Sequence, residues 1–333
     1  IEDDTVEIIS GVRGGITIGS PICLRIENKD YKNWKNIMSI KENENIDNIV
    51  KPRPGHADLP GLLKYGANDI RNILERSSAR ETVGRVAAGA IIKKLMKLFG
   101  TTFFSRVIQI GKVKSKNISI RVMKREYIEK SSVRCEDLEA EKIMIEEIAK
   151  AKKAGESLGG IFEVVAFNVV PGIGSYVLPE ERLDGRLAKA IISIPGIKGV
   201  EFGEGFNLAK KTGSKVHDEI YYQKNKGFYR KTNRAGGIEG GISNGEPILI
   251  RAAMKPIPSL KKPLMTVNVK TKKSEKAFKE RADVCAVPSA AVIGESVTAI
   301  EIAKLYLKKF GGDSIDELSK NFKAYSEGIE WKR

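Results

Sequence analysis

Histidine and cysteine are scarce in this chain of 333 residues. It contains only two histidines, His56 and His217, and three cysteines, Cys23, Cys135 and Cys285. The cysteines are widely separated and none belongs to a Cys-x-x-Cys pair, so neither a disulfide framework nor a zinc site is indicated. We therefore expect no bound metal, and an odd number of unpaired thiols fits a reducing cytoplasm best.

Long apolar runs are also missing. The longest, at residues 86–92, is far shorter than the ~20 residues that a membrane-spanning helix needs. No basic and then apolar signal sequence opens the chain. The sequence therefore predicts a soluble cytoplasmic protein without a membrane partner.

Acidic residues are outnumbered by basic ones. The chain has 58 Lys and Arg against 42 Asp and Glu, a net charge of +16, which implies anionic partners. Charges of both signs are interleaved along the chain, and aromatic residues make up only 7% of it, without the basic and aromatic platform on which single strands stack. A basic nucleic-acid-binding protein is the alternative hypothesis, but no nucleic-acid partner is favoured.

Strand-like and helix-like segments alternate without a low-complexity linker. Apolar stretches bounded by Gly, Pro or polar residues predict strands at 4–11, 20–28, 161–170 and 246–254. Helical periodicity predicts helices at 81–100, 137–155, 181–192, 295–312 and 314–322. Because the strands and helices follow no strict βαβ rhythm, the sequence predicts an α+β fold.

The ends of two helices carry recognisable signals. In the helix at 81–100, positions 83, 86, 87, 90, 91, 95 and 98 form one apolar stripe that we expect to be buried, and Gly100 is placed as a C-terminal cap. Ser314 and Glu317 form a capping-box pattern at the start of the last helix.

Two adjacent serines, Ser77 and Ser78, precede the helix at 81–100. Serine hydroxyls compete for backbone hydrogen bonds, so these residues predict a helix start or break. Ser78 and Glu81 are spaced as a capping box, which would place Ala79 and Arg80 in the first turn.

Arg76 and Arg80 would then lie beside free N–H groups at the positive end of a helix dipole, which is a favourable place for an anion. The same pattern also fits a capped helix with two solvated arginines. The residues alone leave both interpretations open.

A glycine-rich segment precedes Lys255 and a Pro-x-Pro sequence. Its glycines are Gly236, Gly237, Gly240, Gly241 and Gly245. Such residues allow the backbone to approach a flat ring or a phosphate closely, although the residues alone favour a hairpin with a tight turn. Further on, Arg281 and Asp283 taken alone suggest a surface ion pair.

Seven motifs follow one another in the sequence: RPGHAD, ERSSARET, VAAGA, HDE, AGGIEGGISNG, KPIPS and RADVCAVPSAA. In this order and spacing they resemble the chorismate synthase family, and the resemblance extends from the first strand to the last long helix. It implies one domain over residues 1–333, N-terminally incomplete. It also implies a β-α-β sandwich with central helices between outer sheets, assembled as a homotetramer.

The resemblance implies a lyase that converts 5-enolpyruvylshikimate 3-phosphate into chorismate and phosphate by 1,4-anti elimination. The cofactor implied is reduced FMN, although the reaction has no net redox change. The carboxylates and phosphates of substrate and cofactor would explain part of the positive charge. The sequence does not indicate whether NADPH reduces the flavin on this protein, but the absence of obvious insertions favours a separate flavin reductase.

Two residues correspond to catalytic groups of the family. His56 looks like the histidine beside the flavin that keeps the reduced cofactor in its productive protonation state, a task suited to an imidazole. Asp283 corresponds to the acid that assists removal of the ring proton. His217 has no assigned chemistry, and we expect it to be structural.

The binding residues carry over in two groups. Those that correspond to substrate contacts are Arg53, Ala79, Arg80 and Arg281. Those that correspond to flavin contacts are Arg76, Ser77, Ser78, Pro195, Gly196, Gly240, Lys255, Pro256, Ile257, Pro258, Ser259 and Arg281.

The sequence departs from the family pattern in two places. Ala282 stands where many members have a histidine between the arginine and the aspartate. The chain starts at Ile1, already at the family's early strand, so a preceding segment with a Ser-His-Gly motif, a second histidine and two substrate-contacting arginines is expected to lie outside this sequence.

Overall fold

The computed structural model describes residues 4–41, 46–224, 227–281 and 283–329. Its helices are α1 (Tyr31–Trp34), α2 (Asp58–Tyr65), α3 (Arg71–Ser77), α4 (Thr82–Lys97), α5 (Arg125–Lys130), α6 (Leu138–Ala154), α7 (Leu183–Ile192), α8 (Gly213–Val216), α9 (Val287–Phe310) and α10 (Ile315–Gly328). Its strands are β1 (Val6–Ser10), β2 (Val12–Arg13), β3 (Ile16–Thr17), β4 (Cys23–Ile26), β5 (Thr102–Ile110), β6 (Val113–Lys114), β7 (Gly160–Phe167), β8 (Ile197–Phe202), β9 (Ile220–Gln223), β10 (Gly227–Arg230), β11 (Ile238–Glu239), β12 (Ile242–Ser243), β13 (Ile248–Met254), β14 (Met265–Val267) and β15 (Ser274–Lys276).

The largest sheet has five antiparallel strands in the order β6-β5-β7-β13-β8. The face of its central strands that packs against helices is apolar and buried: Phe162, Val164 and Ile250, which share this face, are at most 1% exposed. The remaining strands of the described chain form two-stranded pairs, namely β1–β4, β2–β3, β9–β10, β11–β12 and β14–β15.

A layer of helices lies against one face of this sheet. Helix α9 packs on β5 and β7 and also contacts α4 and α7, while α4 contacts β4 of the β1–β4 pair. The helices therefore lie between two layers of strands, which confirms the predicted α+β fold with central helices. Among the residues that the structure describes, none forms a helix with the combination of length and hydrophobicity that a bilayer crossing requires.

The helices approach one another closely at small residues. A Cβ added to Gly89 of α4 would lie 2.4 Å from the Cβ of Ser296 in α9. On the opposite side of α9, a Cβ added to Gly294 would lie 2.8 Å from the ring of Phe162. The VAAGA motif thus provides a close contact between helices.

The structure corrects the prediction for α9. This helix begins at Val287, eight residues before the predicted start at Glu295. Gly294 lies inside the helix and faces the sheet, where Phe162 and Val164 leave no room for a side chain.

The predicted stripe on α4 is also partly wrong. Ala90 is exposed and Leu98 is 62% exposed, whereas Thr82, Gly89 and Met96 are buried. Ala87 is buried as predicted. The buried positions Thr82, Gly89 and Met96 lie seven residues apart, on a neighbouring line of the helix surface, and Gly89 contacts Ser296 of α9. The predicted C-terminal cap is confirmed: Gly100, three residues beyond the end of α4, has a φ of +74° and donates its N–H to the carbonyl of Lys97.

Helix α10 confirms another local signal. Its N-cap, Ser314, accepts a hydrogen bond from the backbone of Glu317, whose side chain bonds back to the N-cap backbone. At the start of α6, Asp137 serves the same purpose by accepting hydrogen bonds from Glu139 and Ala140.

A row of alternating charges crosses the five-stranded sheet on the face away from α9. Arg106, Glu163, Arg251 and Glu201 stand opposite one another in register on β5, β7, β13 and β8. Glu163 is 2% exposed and accepts a hydrogen bond of 2.7 Å from each arginine. Every charge in the row therefore has an opposite charge beside it.

Candidate active site

The RPGHAD motif folds into a turn that leads into α2. Asp58, the first residue of α2, is fully buried. Its Oδ2 accepts hydrogen bonds of 2.9 Å from the backbone N and the Nε of Arg53. Its Oδ1 lies 3.1 Å from Nη2 of Arg53 and 2.5 Å from Nδ1 of His56. Burial alone would raise the pKa of Asp58, but the hydrogen bonds from His56 and Arg53 outweigh it and hold that pKa well below its usual range.

The guanidinium group of Arg53 is occupied on every side. Besides its bonds to Asp58, Nη1 donates to Oγ of Ser259 over 2.7 Å, and the group lies 4.7 Å from the centre of the Phe278 ring. The residue is 5% exposed. The contact between Arg53 and substrate stays a prediction, and these bonds show that the side chain is already held in place.

The KPIPS segment packs directly against this turn. Lys255 donates its Nζ hydrogen to the carbonyl of Gly55, and Pro258 lies beside the same glycine. With the bond from Arg53 to Ser259, these contacts join two segments about 200 residues apart in the sequence. The structure therefore brings together His56 and the predicted flavin contacts at 255–259.

Lys255 also reaches the turn between α7 and β8. Its backbone N donates to the carbonyl of Gly196 over 2.9 Å, and Gly196 takes the φ of +86° that this turn requires. Burial, with a smaller effect from the nearby positive charge of Lys198, lowers the pKa of Lys255. In the described part of the chain, no carboxylate pairs with Lys255, so this position favours an anion.

An open pocket of about 320 Å³ lies beside the KPIPS segment. Leu158, Gly159, Met254 and Pro256 are among its lining residues. A Cβ on Gly159 would lie 2.3 Å from the carbonyl oxygen of Met254, so the glycine lets the two backbones approach closely and form one wall of the pocket. Ser157 anchors the segment by donating to the carbonyl of Ile257 over 2.6 Å.

The start of α4 differs from the predicted capping box. Ser77 ends α3, as a predicted break requires, and Ser78 accepts a hydrogen bond from the backbone of Arg80. Residues 79–81 form a 3₁₀ turn before α4 begins at Thr82. Glu81 does not complete the box, because its carboxylate pairs with Arg85 one turn further along the helix, at 2.8 Å.

Arg85 connects this helix start to the candidate site. Its Nη1 donates to Oγ of Ser193 over 2.8 Å, two residues before Pro195. The turn at 193–196 thus lies between α4 and Lys255. None of these links was evident from the sequence, because Arg85 resembles an ordinary solvated helix residue.

Arg80 contacts an acid at the beginning of β1. Its two terminal nitrogens donate to the carboxylate of Asp4 over 2.9 and 2.7 Å, and it also bonds to the carbonyl of Glu27. The hydrogen bond from Arg80 lowers the pKa of Asp4. The predicted substrate contact at Arg80 therefore implies that an anion replaces Asp4, while Arg76 lies exposed on α3.

The segment around Asp283 lies next to the pocket wall. Leu158 donates its N–H to the carbonyl of Val284 over 2.8 Å. Asp283 itself is exposed, as is Arg281, and these two side chains do not form the ion pair that the residues alone suggested. Ala282 lies outside the described residues.

Two predicted residues lie away from these contacts. Gly240 is at the tip of the β11–β12 hairpin, where no described atom lies within 4 Å of the position of a Cβ. All five glycines of this segment have positive φ. His217 is exposed, and its neighbour Asp218 is the buried residue of the HDE motif.

Asp218 organises the loop that leads to the glycines. Its carboxylate accepts hydrogen bonds from Thr232 and from the backbone of Arg234 and Ala235. The sequence analysis missed Asp58 and Asp218, although each stands directly after or close to a histidine that was singled out. The signal that could have identified Asp58 and Asp218 is a short acidic side chain beside a turn, where it can accept hydrogen bonds from the backbone.

Comparison with known proteins identifies the family. The chorismate synthase family model matches residues 1–307. The chain is 53% identical to a chorismate synthase of Desulforudis audaxviator (strain MP104C), covering 100% of this chain and 86% of the relative. It is 54% identical to a chorismate synthase of Alkaliphilus metalliredigens (strain QYMF), covering 98% and 86%.

A solved structure agrees with these relatives. The chain resembles a structure described as "Crystal Structure of Chorismate Synthase" with a TM-score of 0.80 and 40% sequence identity, covering 98% of this chain and 85% of that one. The sequence motifs, the helical layer between strands and the turn packed on KPIPS agree with these matches, and the chain belongs to the chorismate synthase family.

Proposed function

We propose that this protein performs its family's reaction at the site where the RPGHAD turn meets the KPIPS segment. As a member of the family it is a carbon–oxygen lyase that forms chorismate and phosphate from 5-enolpyruvylshikimate 3-phosphate in the shikimate pathway. The observation that carries the proposal is that Arg53 and Gly55, in the turn that carries His56, bond to Ser259 and Lys255 of the KPIPS segment.

The residues present fit a reduced flavin mononucleotide. The pocket wall at Gly159, Met254 and Pro256 is formed by closely packed backbone, which a planar ring can approach. Lys255, near Lys198 and without a carboxylate partner in the described chain, suits a phosphate or an anionic ring edge. When bound, reduced flavin supplies electron density to the substrate while the phosphate leaves, and recovers it afterwards.

The chain's own residues bind and move protons. His56, 18% exposed at its side chain, holds or transfers a proton at the flavin side of the site. Asp283 receives the ring proton. Arg80 and Arg281 bind anionic groups of the substrate, and Arg53 supports the turn that carries His56.

The wider assignments follow from the same proposal. The protein is cytoplasmic, since its three cysteines are free, and it works with a separate flavin reductase. It assembles as a homotetramer, for which exposed apolar residues on β1 provide support: Val6, Ile8 and Ile9 are 49%, 52% and 53% exposed.

The decisive experiment measures anaerobic release of phosphate from 5-enolpyruvylshikimate 3-phosphate with photoreduced FMN. We expect turnover by the wild type and a loss of ~10² to 10⁴ in rate for His56→Ala, with little change in substrate affinity, because a proton-transferring group acts mainly in the transition state. His217→Ala serves as the control and should retain full rate. Full activity of His56→Ala with excess reduced FMN would show that the role assigned to His56 is wrong.

A further inference from the structure

We propose that Asp58 is a positioning residue that fixes His56 in the tautomer with hydrogen on Nδ1 and locks Arg53 beside it. The consequence for catalysis rests on the proposed function of His56, whereas the placement of the hydrogen follows from geometry alone.

The hydrogen-bond donors around Asp58 determine the tautomer. The carboxylate has four close partners: the backbone N, Nε and Nη2 of Arg53, and Nδ1 of His56. The three arginine groups can only donate, and an ionised carboxylate can only accept. At 2.5 Å from Oδ1, Nδ1 must also donate, so in the neutral ring Nε2 is the acceptor. Nη2 of Arg53 lies 3.0 Å from Nδ1 and 3.2 Å from Nε2, and because it can only donate, Nε2 is the ring nitrogen that can accept from it.

The same carboxylate explains why Arg53 can remain buried. An arginine at 5% exposure needs a paired negative charge, because an unpaired buried charge is strongly destabilising. Asp58 supplies this charge to two guanidinium nitrogens, while Ser259 and Phe278 hold the rest of the group. Arg53 is thus held with its Nη2 3.0 Å from Nδ1 of His56.

The variant Asp58→Asn tests this arrangement because it changes one atom. An asparagine has a single oxygen, and that oxygen is best placed at Oδ2, where two Arg53 donors converge. Its NH₂ group then faces Nδ1 of His56, which must become an acceptor. The substitution should therefore move the ring hydrogen from Nδ1 to Nε2 without removing side-chain volume.

Nitrogen NMR of protein labelled with ¹⁵N-histidine measures the tautomer directly. The chain has only two histidines, so His217→Gln assigns both rings. We expect the Nδ1–H form for His56 in the wild type and the Nε2–H form in Asp58→Asn. We also expect kcat for phosphate release to fall by ~10² or more in the variant, with the dissociation constant for oxidised FMN changed less than about threefold.

Asp137→Asn is the matched control. Asp137 is also a buried aspartate that accepts backbone hydrogen bonds, but it caps α6 and has no contact with an imidazole. This variant should leave the tautomer of His56 and kcat unchanged.

Several outcomes would overturn the proposal. An Nε2–H ring in the wild type contradicts the placement, and this result stands even if Asp58→Asn fails to fold. If the hydrogen of His56 stays on Nδ1 in a folded Asp58→Asn variant, the role of Asp58 is wrong. If the hydrogen moves to Nε2 and turnover is unchanged, the effect of Asp58 on catalysis is wrong. A fully active His56→Ala variant would instead refute the proposed function, and the NMR result would remain valid.

Discussion

Arg80 is the residue at which an internal contact and the proposed substrate compete most directly. Its bidentate pair with Asp4 has the geometry that a substrate carboxylate or phosphate would use. Asp4 is therefore either a placeholder for the substrate anion or the permanent partner of Arg80. Single substitutions at the two positions distinguish these roles.

We expect Arg80→Lys to weaken substrate binding by about 2–3 kcal/mol, since lysine cannot reproduce the paired bonds of a guanidinium group. Asp4→Asn should strengthen binding modestly, because it removes the competing charge. Titration of each variant with substrate, in the presence of flavin, measures both effects. Wild-type affinity in Arg80→Lys would identify the contact with Asp4 as a surface ion pair.

Lys255 should reduce the stability of the protein when no anion is bound. Its pKa is lowered in the folded state, so the folded protein disfavours the charged form. The unfolded chain then binds more protons between the folded pKa and the ordinary value of ~10.4, and stability rises with pH through that window. At neutral pH the cost is fully present.

We therefore expect Lys255→Met to raise the midpoint of urea unfolding at pH 7 and to weaken FMN binding at the same time. The gain in stability should shrink as the pH rises above the folded pKa. Lys97→Met, on the outer side of α4, is the control and should show neither effect. A variant that lost stability at pH 7 would contradict the interpretation of Lys255 as an unpaired cation.

At the scale of single elements, the contact between α4 and α9 depends on the absence of one side chain. Gly89 meets both Cβ and Cα of Ser296, at 2.4 and 2.8 Å from an added Cβ. A side chain at Gly89 must therefore push a helix backbone aside. The same helix contains Gly84, where no described atom lies within 4 Å of an added Cβ.

These two glycines give a matched pair of substitutions. Gly89→Ala should destabilise the protein by about 1–3 kcal/mol through overpacking. Gly84→Ala should stabilise it by up to ~1 kcal/mol through helix propensity. Urea unfolding of both variants measures the difference, and equal effects would mean that the helices can separate freely.

Glu163 offers a second test at this scale. The carboxylate neutralises Arg106 and Arg251 on the neighbouring strands. Glu163→Gln leaves two arginines without that charge, and removing one partner of a buried pair typically costs ~3–5 kcal/mol. Chemical unfolding should show this loss, whereas Lys116→Gln, at an exposed pair with Glu139, should change stability by less than ~1 kcal/mol.

The sequence predicted elements whose signals are local and missed features that depend on distant partners. The capping box at Ser314 and the cap at Gly100 involve only neighbours in the chain, and both are confirmed. The pairs of Arg80 with Asp4 and of Arg53 with Ser259 span 76 and 206 residues, and no periodicity contains that information. The close packing of Gly294 in α9 likewise depends on the ring of Phe162, which lies on another element.

The residues of the candidate site also differ in how far the sequence could predict them. The motifs carried the assignment of His56 and the KPIPS residues through resemblance, and in the structure the turn that carries His56 contacts the KPIPS segment through Arg53 and Gly55. The roles of three residues, Asp283, Arg281 and Gly240, stay predictions. Asp283 and Arg281 are exposed, and no described atom lies within 4 Å of a Cβ added to Gly240. Side chains that act only on a bound ligand have no partner in the chain itself, so neither sequence nor fold defines their geometry.

At the scale of the whole molecule, the exposed residues of β1 predict an assembly. Light scattering should give a mass of about 147 kDa, which is four times the chain mass of 36.7 kDa. Ile8→Glu should lower this mass, since it introduces a charge on the apolar strand. Ile315→Glu on α10, at 47% exposure, is the control. A fully active protein of 36.7 kDa would contradict the homotetramer.

The row of charges from Arg106 to Glu201 has a consequence for the distant end of the sheet. Sliding β13 by two residues along β7 would place Arg251 opposite Val165 or Ile161 rather than Glu163, and a slide by one would turn its charge towards α9. Only one alignment of the four strands therefore pairs every charge in the row with an opposite charge. That alignment also sets where β13 ends. If β13 slid by two residues, Lys255 would move about 7 Å along the strand and away from Gly196. The anion site would then not form.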